Sequence, residues 1–92
     1  EVVAEQFELL QNYPNPYNPT TRIAYRLEKT AMVSLAVYDL LGKQVAILQD
    51  GIQASGQYEG EFSANGLPGG IYLYRLSVDN VHLKTRKMLL VK

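Results

Sequence analysis

The chain has 92 residues, no visible internal repeat, and 9 acidic against 9 basic side chains, for a formal net charge of zero. That balance argues against bulk electrostatic binding of nucleic acid, which needs a basic excess. The absence of cysteine excludes disulfides and thiolate metal sites. No apolar run approaches the ~20 residues of a membrane-spanning helix.

Glu1 to Gln6 is polar and reads as a linker or frayed entry, with one domain from Phe7 to Lys92. The chain begins at Glu1 with no signal-like segment, so it is expected to be a piece of a longer protein whose export signal lies elsewhere. Phe7 to Gln11 is a short first strand. Pro14, Pro16 and Pro19 then forbid helix and central strand across Asn12 to Thr21. Asn side chains can close turns on their own backbone, so this stretch is expected to be an ordered, extended loop.

Arg22 to Leu27 alternates, with Ile23, Tyr25 and Leu27 on one face. Met32 to Tyr38 alternates again, with Val33, Leu35 and Val37 inward. Asp39-Leu40-Leu41-Gly42 is a turn in which the Asp carboxylate accepts backbone N–H bonds and Gly supplies positive φ. Gln44 to Leu48 completes a hairpin, with Val45 and Ile47 expected inward. Gln49 to Gly56 reads as a loop.

Gln57 to Ser63 places Tyr58, Gly60 and Phe62 on one face. Ala64 to Gly70 is a second Gly/Pro loop. Ile71 to Val78 is the strongest strand, with Tyr72, Tyr74, Leu76 and Val78 together. Asp79-Asn80 is a hairpin turn, since both residues tolerate positive φ. Val81 to Val91 returns as the last strand. Its facing is ambiguous, because Met88 to Val91 is apolar throughout. Lys84, Arg86, Lys87 and Lys92 make this end basic, and the charges are read as protection of a strand edge.

No segment keeps a helical period over three turns. About seven short strands separated by turns predict an all-β fold, a β-sandwich of antiparallel strands. Tyr72 follows the Pro68-Gly69-Gly70 corner at the start of the penultimate strand, the position of the tyrosine corner of immunoglobulin-like sandwiches. Its hydroxyl is therefore expected to bond backbone a few residues upstream.

The inventory opposes catalysis. His82 is the single histidine and there is no cysteine nucleophile. Glu59 and Glu61 project together from one strand, about 7 Å apart, a spacing that suits glycoside chemistry; both lie on the polar face beside Gln57, where solvation is the better reading. Ser34, Ser55, Ser63 and Ser77 have no base in a matching motif. Asp39, Asp50 and Asp79 each sit in a turn context, and no calcium-loop spacing appears. No metal, cofactor or catalytic residue is expected.

Gln11-Asn12-Tyr13-Pro14-Asn15-Pro16-Tyr17-Asn18-Pro19-Thr20-Thr21 resembles the opening motif of the C-terminal sorting domains of type IX secretion. The resemblance runs on through Ile23-Ala24-Tyr25, Val37-Tyr38-Asp39-Leu40-Leu41-Gly42-Lys43-Gln44-Val45 and Leu67-Pro68-Gly69-Gly70-Ile71-Tyr72-Leu73-Tyr74-Arg75-Leu76. It closes with Thr85-Arg86-Lys87-Met88-Leu89-Leu90-Val91-Lys92. Tyr17 stands where Phe is commoner in the family. The resemblance implies a non-catalytic domain following an N-terminal cargo domain of the same exported parent. Its partners are an outer-membrane translocon and a sortase-like protease. It also implies passage through the periplasm and outer membrane of a Gram-negative bacterium to secretion or cell-surface attachment.

Two segments carry the expected partner recognition. One is the rigid loop Asn15, Pro16, Tyr17, Asn18, Pro19 and Thr20, whose order makes it readable at low entropic cost. The other is the last strand, with Lys87, Met88, Leu90 and Lys92, which either completes the core or offers an exposed edge for strand addition to a receptor. The rival reading is a carbohydrate-binding module using aromatic platforms, for which Tyr13, Tyr17 and Tyr38 are the surface candidates. A passive spacer is the third.

Overall fold

A computed structural model describes residues 7–91. The expectations for Glu1 to Gln6 and for Lys92 fall outside the described residues. Seven strands run in chain order: β1 (Phe7–Leu9), β2 (Thr20–Leu27), β3 (Ala31–Tyr38), β4 (Gln44–Gln53), β5 (Gly56–Ser63), β6 (Gly70–Val78) and β7 (His82–Leu90). They form an all-β immunoglobulin-like sandwich, with a three-stranded sheet in the order β1-β2-β5 facing a four-stranded sheet in the order β4-β3-β6-β7. Every strand pairing is antiparallel.

Alternation explains which faces meet. Ile23, Tyr25 and Leu27 of β2 are buried against Val33, Leu35 and Val37 of β3, with Tyr72, Tyr74, Leu76 and Val78 of β6 in the same core. Each such side chain withdrawn from water contributes roughly 1.5–3 kcal/mol. In β7 the alternation survives inside the apolar run: Met88 and Leu90 are buried, while Leu89 and Val91 face out.

β4 departs from expectation. Its pairing with β3 shifts register between Leu35 and Ala36 and again between Val37 and Tyr38. Each extra residue of such a bulge turns the following side chain to the other face. Ile47, expected inward, is therefore 55% exposed, while Val45, Ala46 and Leu48 pack on the core. The segment read as a loop from Gln49 is strand as far as Gln53. A two-residue crossover then carries the chain to β5 in the opposite sheet. The Tyr58 hydroxyl donates to the Ala54 carbonyl (2.6 Å) and the Tyr25 hydroxyl to Gln53 Oε1 (2.6 Å), and the two rings stack at 5.5 Å.

The turn chemistry holds. Asp39 Oδ1 accepts from the amides of Leu41 and Lys43, both at 2.9 Å, and Gly42 has φ +86. Asp79 and Asn80 have φ +56 and +57. The Tyr72 hydroxyl donates to the Pro68 carbonyl at 2.6 Å, so the tyrosine corner is present.

Candidate functional site

The proline-asparagine loop lies along the outer edge of β7, so the two expected recognition segments form one platform. The Asn15 side-chain oxygen accepts a hydrogen bond from the Leu89 amide (3.0 Å). Tyr17 pairs with Leu90 in a parallel bridge. Its amide donates to the Leu89 carbonyl (3.0 Å), and its carbonyl accepts from the Val91 amide (2.9 Å). Gln11 Nε2 donates to the Lys87 carbonyl (2.8 Å). The edge of β7 is thus occupied from Lys87 to Val91 while Met88 and Leu90 are buried, so of the two alternatives for the last strand the structure has it completing the core rather than offering an open edge. Farther back along β7, Arg86 Nε donates to the Leu9 carbonyl (2.8 Å) and Lys84 Nζ to the Phe7 carbonyl (3.2 Å). The basic residues protect the edge by tying it to β1.

Asn12 organises the start of the loop. It is buried, and its backbone amide donates to the Tyr74 hydroxyl (2.8 Å), which in turn donates to the Leu10 carbonyl (2.8 Å). Asn12 Nδ2 donates to the Pro14 carbonyl (3.1 Å) and to Thr21 Oγ1 (3.0 Å), and Thr21 Oγ1 donates to the same carbonyl (2.8 Å). Buried polar groups need such partners, since an unpaired one costs ~1–3 kcal/mol. Burial raises the Tyr74 phenol pKa against the opposing effects of the Asn12 amide and the Arg86 charge. The X-Pro bonds Tyr13–Pro14, Asn15–Pro16 and Asn18–Pro19 are cis.

Tyr17 is 1% exposed, which corrects its place among surface aromatics. Its ring meets Phe62 edge to face, and its hydroxyl is buried with no hydrogen-bond partner among the described residues. Burial, with a smaller contribution from Tyr72, pushes its pKa up to about 12. Of the other sugar-platform candidates, Tyr13 is 80% exposed, and Tyr38 is half-buried under the Arg75 guanidinium, 5.0 Å from the ring centre. The burial of Tyr17 removes it from any such aromatic platform.

Asn15, Pro16, Asn18, Pro19 and Lys87 are exposed on the platform. Thr20 opens β2 opposite Ser63, and the Pro19 carbonyl accepts from the Ala64 amide (2.9 Å). Tyr17, Met88 and Leu90 are buried beneath. The sequence reading missed Gln11, Asn12, Thr21 and Tyr74 as positioning residues. Their partners include groups 62 and 76 residues away, and no local pattern announces them.

Elsewhere, Glu59 and Glu61 lie exposed on the outer face of the three-stranded sheet, with Arg22 Nε 3.9 Å from Glu59. His82 is exposed, its ring tilted 6.3 Å from Phe7. No helix among the described residues is long and apolar enough to cross a membrane.

The fold is shared with domains of larger proteins. The chain superposes on latent PorU from Porphyromonas gingivalis with a TM-score of 0.62 at 18% identity, covering 92% of this chain and 9% of that one. A β-glucosidase from Erythrobacter marinus gives 0.63 at 12% identity, covering 92% and 15%. The DNA glycosylase AlkC from Pseudomonas fluorescens gives 0.61 at 14% identity, covering 95% and 31%. At these identities the likeness is one of fold. No curated protein matches the chain. The family model of the secretion system C-terminal sorting domain matches residues 11–92, from the Gln11 that bonds the last strand through that strand itself. The chain belongs to that family, the C-terminal sorting signals of type IX secretion, which mark a parent protein for export to the cell surface or beyond.

Proposed function

We propose that residues 7–92 form a non-catalytic sorting module, joined through residues 1–6 to an N-terminal cargo domain of the same parent. The module directs that parent through the outer-membrane translocon, and a sortase-like protease then hands the cargo to surface attachment. The observation that carries this reading is the seating of the Asn15–Tyr17 loop on Leu89–Val91, which presents loop amides and Lys87 on one rigid surface. Asn15, Pro16, Asn18, Pro19 and Lys87 then touch the partner. Tyr17, Thr20, Met88 and Leu90 hold them in place, and Lys92 extends the basic end. A preordered surface binds without paying a further ordering cost.

The test is fusion of this chain to an inert reporter carrying its own inner-membrane signal, in a host with type IX secretion. Surface delivery of the parent fusion is expected, and delivery that survives scrambling of the module sinks the reading. Asn15→Ala with Asn18→Ala then separates recognition from folding. Lost export at an unchanged melting temperature supports direct reading of the loop; export lost only in step with folding leaves the loop a structural role.

A further inference from the structure

Beside the platform, the outer face of β6 and β7 forms an open groove of ≈ 530 Å³. Its solvent-side apolar lining is Ile71, Leu73 and Leu89, with the buried Met88 beneath; Lys87, Arg86 and the side chains of Gln11 and Asn15 stand along it, and none of the described lining residues is acidic. The register explains the grouping, since Ile71 lies opposite Leu89 and Leu73 opposite Lys87 on the solvent side of the sheet. Ile71 and Leu89 remain about two-fifths exposed, at 42% and 40%.

The molecule is neutral as a whole but not face by face. Arg75 and Lys87 lie on the β6–β7 face, with Lys84 and Arg86 along its edge. Lys87 makes no ion pair among the described residues. Glu8, Glu59 and Glu61 belong to the opposite sheet, beside Arg22 and Arg26. Of the acidic side chains on the four-stranded sheet, Asp50 is on the far edge strand and Asp79 at the other end of the β6–β7 hairpin. Asp39, beyond β3, is committed to the amides of Leu41 and Lys43.

We propose that this groove, adjoining the proline-asparagine loop, is the docking surface for a protein partner that presents a carboxylate flanked by aliphatic side chains. The aliphatics cover Ile71, Leu73 and Leu89, and the carboxylate pairs with Lys87. Charge complementarity selects the partner, because a like charge brought against Lys87 is strongly penalised at a desolvated contact. The loop sets one wall of the groove through Asn15, so loop and groove are read together. This rests on the sorting reading and names the chemistry of the partner.

Export of the reporter fusion tests it. Lys87→Glu and Ile71→Ser both change solvent-facing side chains and leave the loop bonds intact. Each is expected to cut export about tenfold or more with little change in melting temperature, and Lys87→Arg is expected to restore export. Glu59→Lys, on the opposite sheet, should export at the parental level. If the parent fusion is itself not exported, the sorting reading fails. If the parent is exported and both groove variants match it, the groove proposal alone is overturned. The purified domain supplies two further outcomes. A dimer in sedimentation that Lys87→Glu dissolves would assign the face to a second copy. Binding to vesicles of anionic phospholipid that Lys87→Glu abolishes would assign it to a lipid phosphate. Either result overturns the proposal; a monomer that ignores such vesicles upholds it.

Discussion

The Tyr17 ring packs edge-on against Phe62, with 6.2 Å between centroids and 67° between planes, and its hydroxyl is left with no hydrogen-bond partner among the described residues. The ring is the buried anchor of the loop, and the oxygen is the one imperfect feature of its seat.

Tyr17→Phe is therefore expected to raise stability by about 1 kcal/mol, since it removes a buried polar group that has no partner. The gain should grow in alkali. The folded pKa of about 12 exceeds the ordinary 10.0. Below pH 10 the tyrosine is neutral in both states. Between 10 and 12 only the unfolded chain ionises at Tyr17, so the parent loses about 1.4 kcal/mol per pH unit from this residue. Tyr25 and Tyr74 also have raised values and weaken parent and variant alike. Denaturant melts of both proteins across this range check the prediction, and a constant difference between them would refute the alkaline effect.

Tyr74→Phe and Tyr72→Phe delete one oxygen each and should differ in cost. The Tyr74 hydroxyl serves both the Asn12 amide and the Leu10 carbonyl, and its loss leaves the buried Asn12 amide unpaired. A cost of about 2 kcal/mol is expected. The Tyr72 hydroxyl serves only the part-buried Pro68 carbonyl, for about 1 kcal/mol. Urea midpoints with unchanged slopes measure both. Equal costs would mean that Asn12 finds another partner.

Gly60→Ala should stabilise. Gly60 lies on the core side of β5, and a Cβ built there meets Leu48 at 3.5 Å and Leu35 at 3.6 Å, ordinary contact distances. The position does not require positive φ, so the methyl group fills space and narrows the unfolded ensemble. A gain of about 0.5 kcal/mol is expected, read as a higher melting temperature. A lower one would show that the sheets cannot accommodate the methyl.

Deleting Lys87 to Lys92 removes Met88 and Leu90 from the core, together with the groups that hold Gln11, Asn15 and Tyr17. Two buried side chains alone amount to roughly 3–6 kcal/mol, against the 5–15 kcal/mol that holds a typical domain. Loss of a cooperative melt and of reporter export is expected. Retained export by the truncated module would remove the last strand from the sorting signal.

Where a strand keeps one buried face, the sequence was readable. Ile23-Tyr25-Leu27 and Val33-Leu35-Val37 repeat with the period of the pleat, and their burial follows. β4 was not readable, because its register shifts depend on its neighbour and reverse the facing of Ile47 with no Gly or Pro between Gln44 and Asp50 to mark the change. The last strand hid its alternation, because Leu89 and Val91 are apolar on the solvent side. The resemblance named both halves of the candidate site, but their union was beyond it. Asn15 and Leu89 are 74 residues apart, and nothing local to either predicts the bond.

The bridge between Tyr17 and Leu90 has a consequence for the order of events during synthesis. The loop emerges from the ribosome early and finds its seat only when the final strand arrives. A polypeptide terminated between Thr21 and Leu89 carries every letter of the opening motif and still lacks the assembled surface. Under the proposed function, a module cut short before Leu90 leaves its cargo without an address.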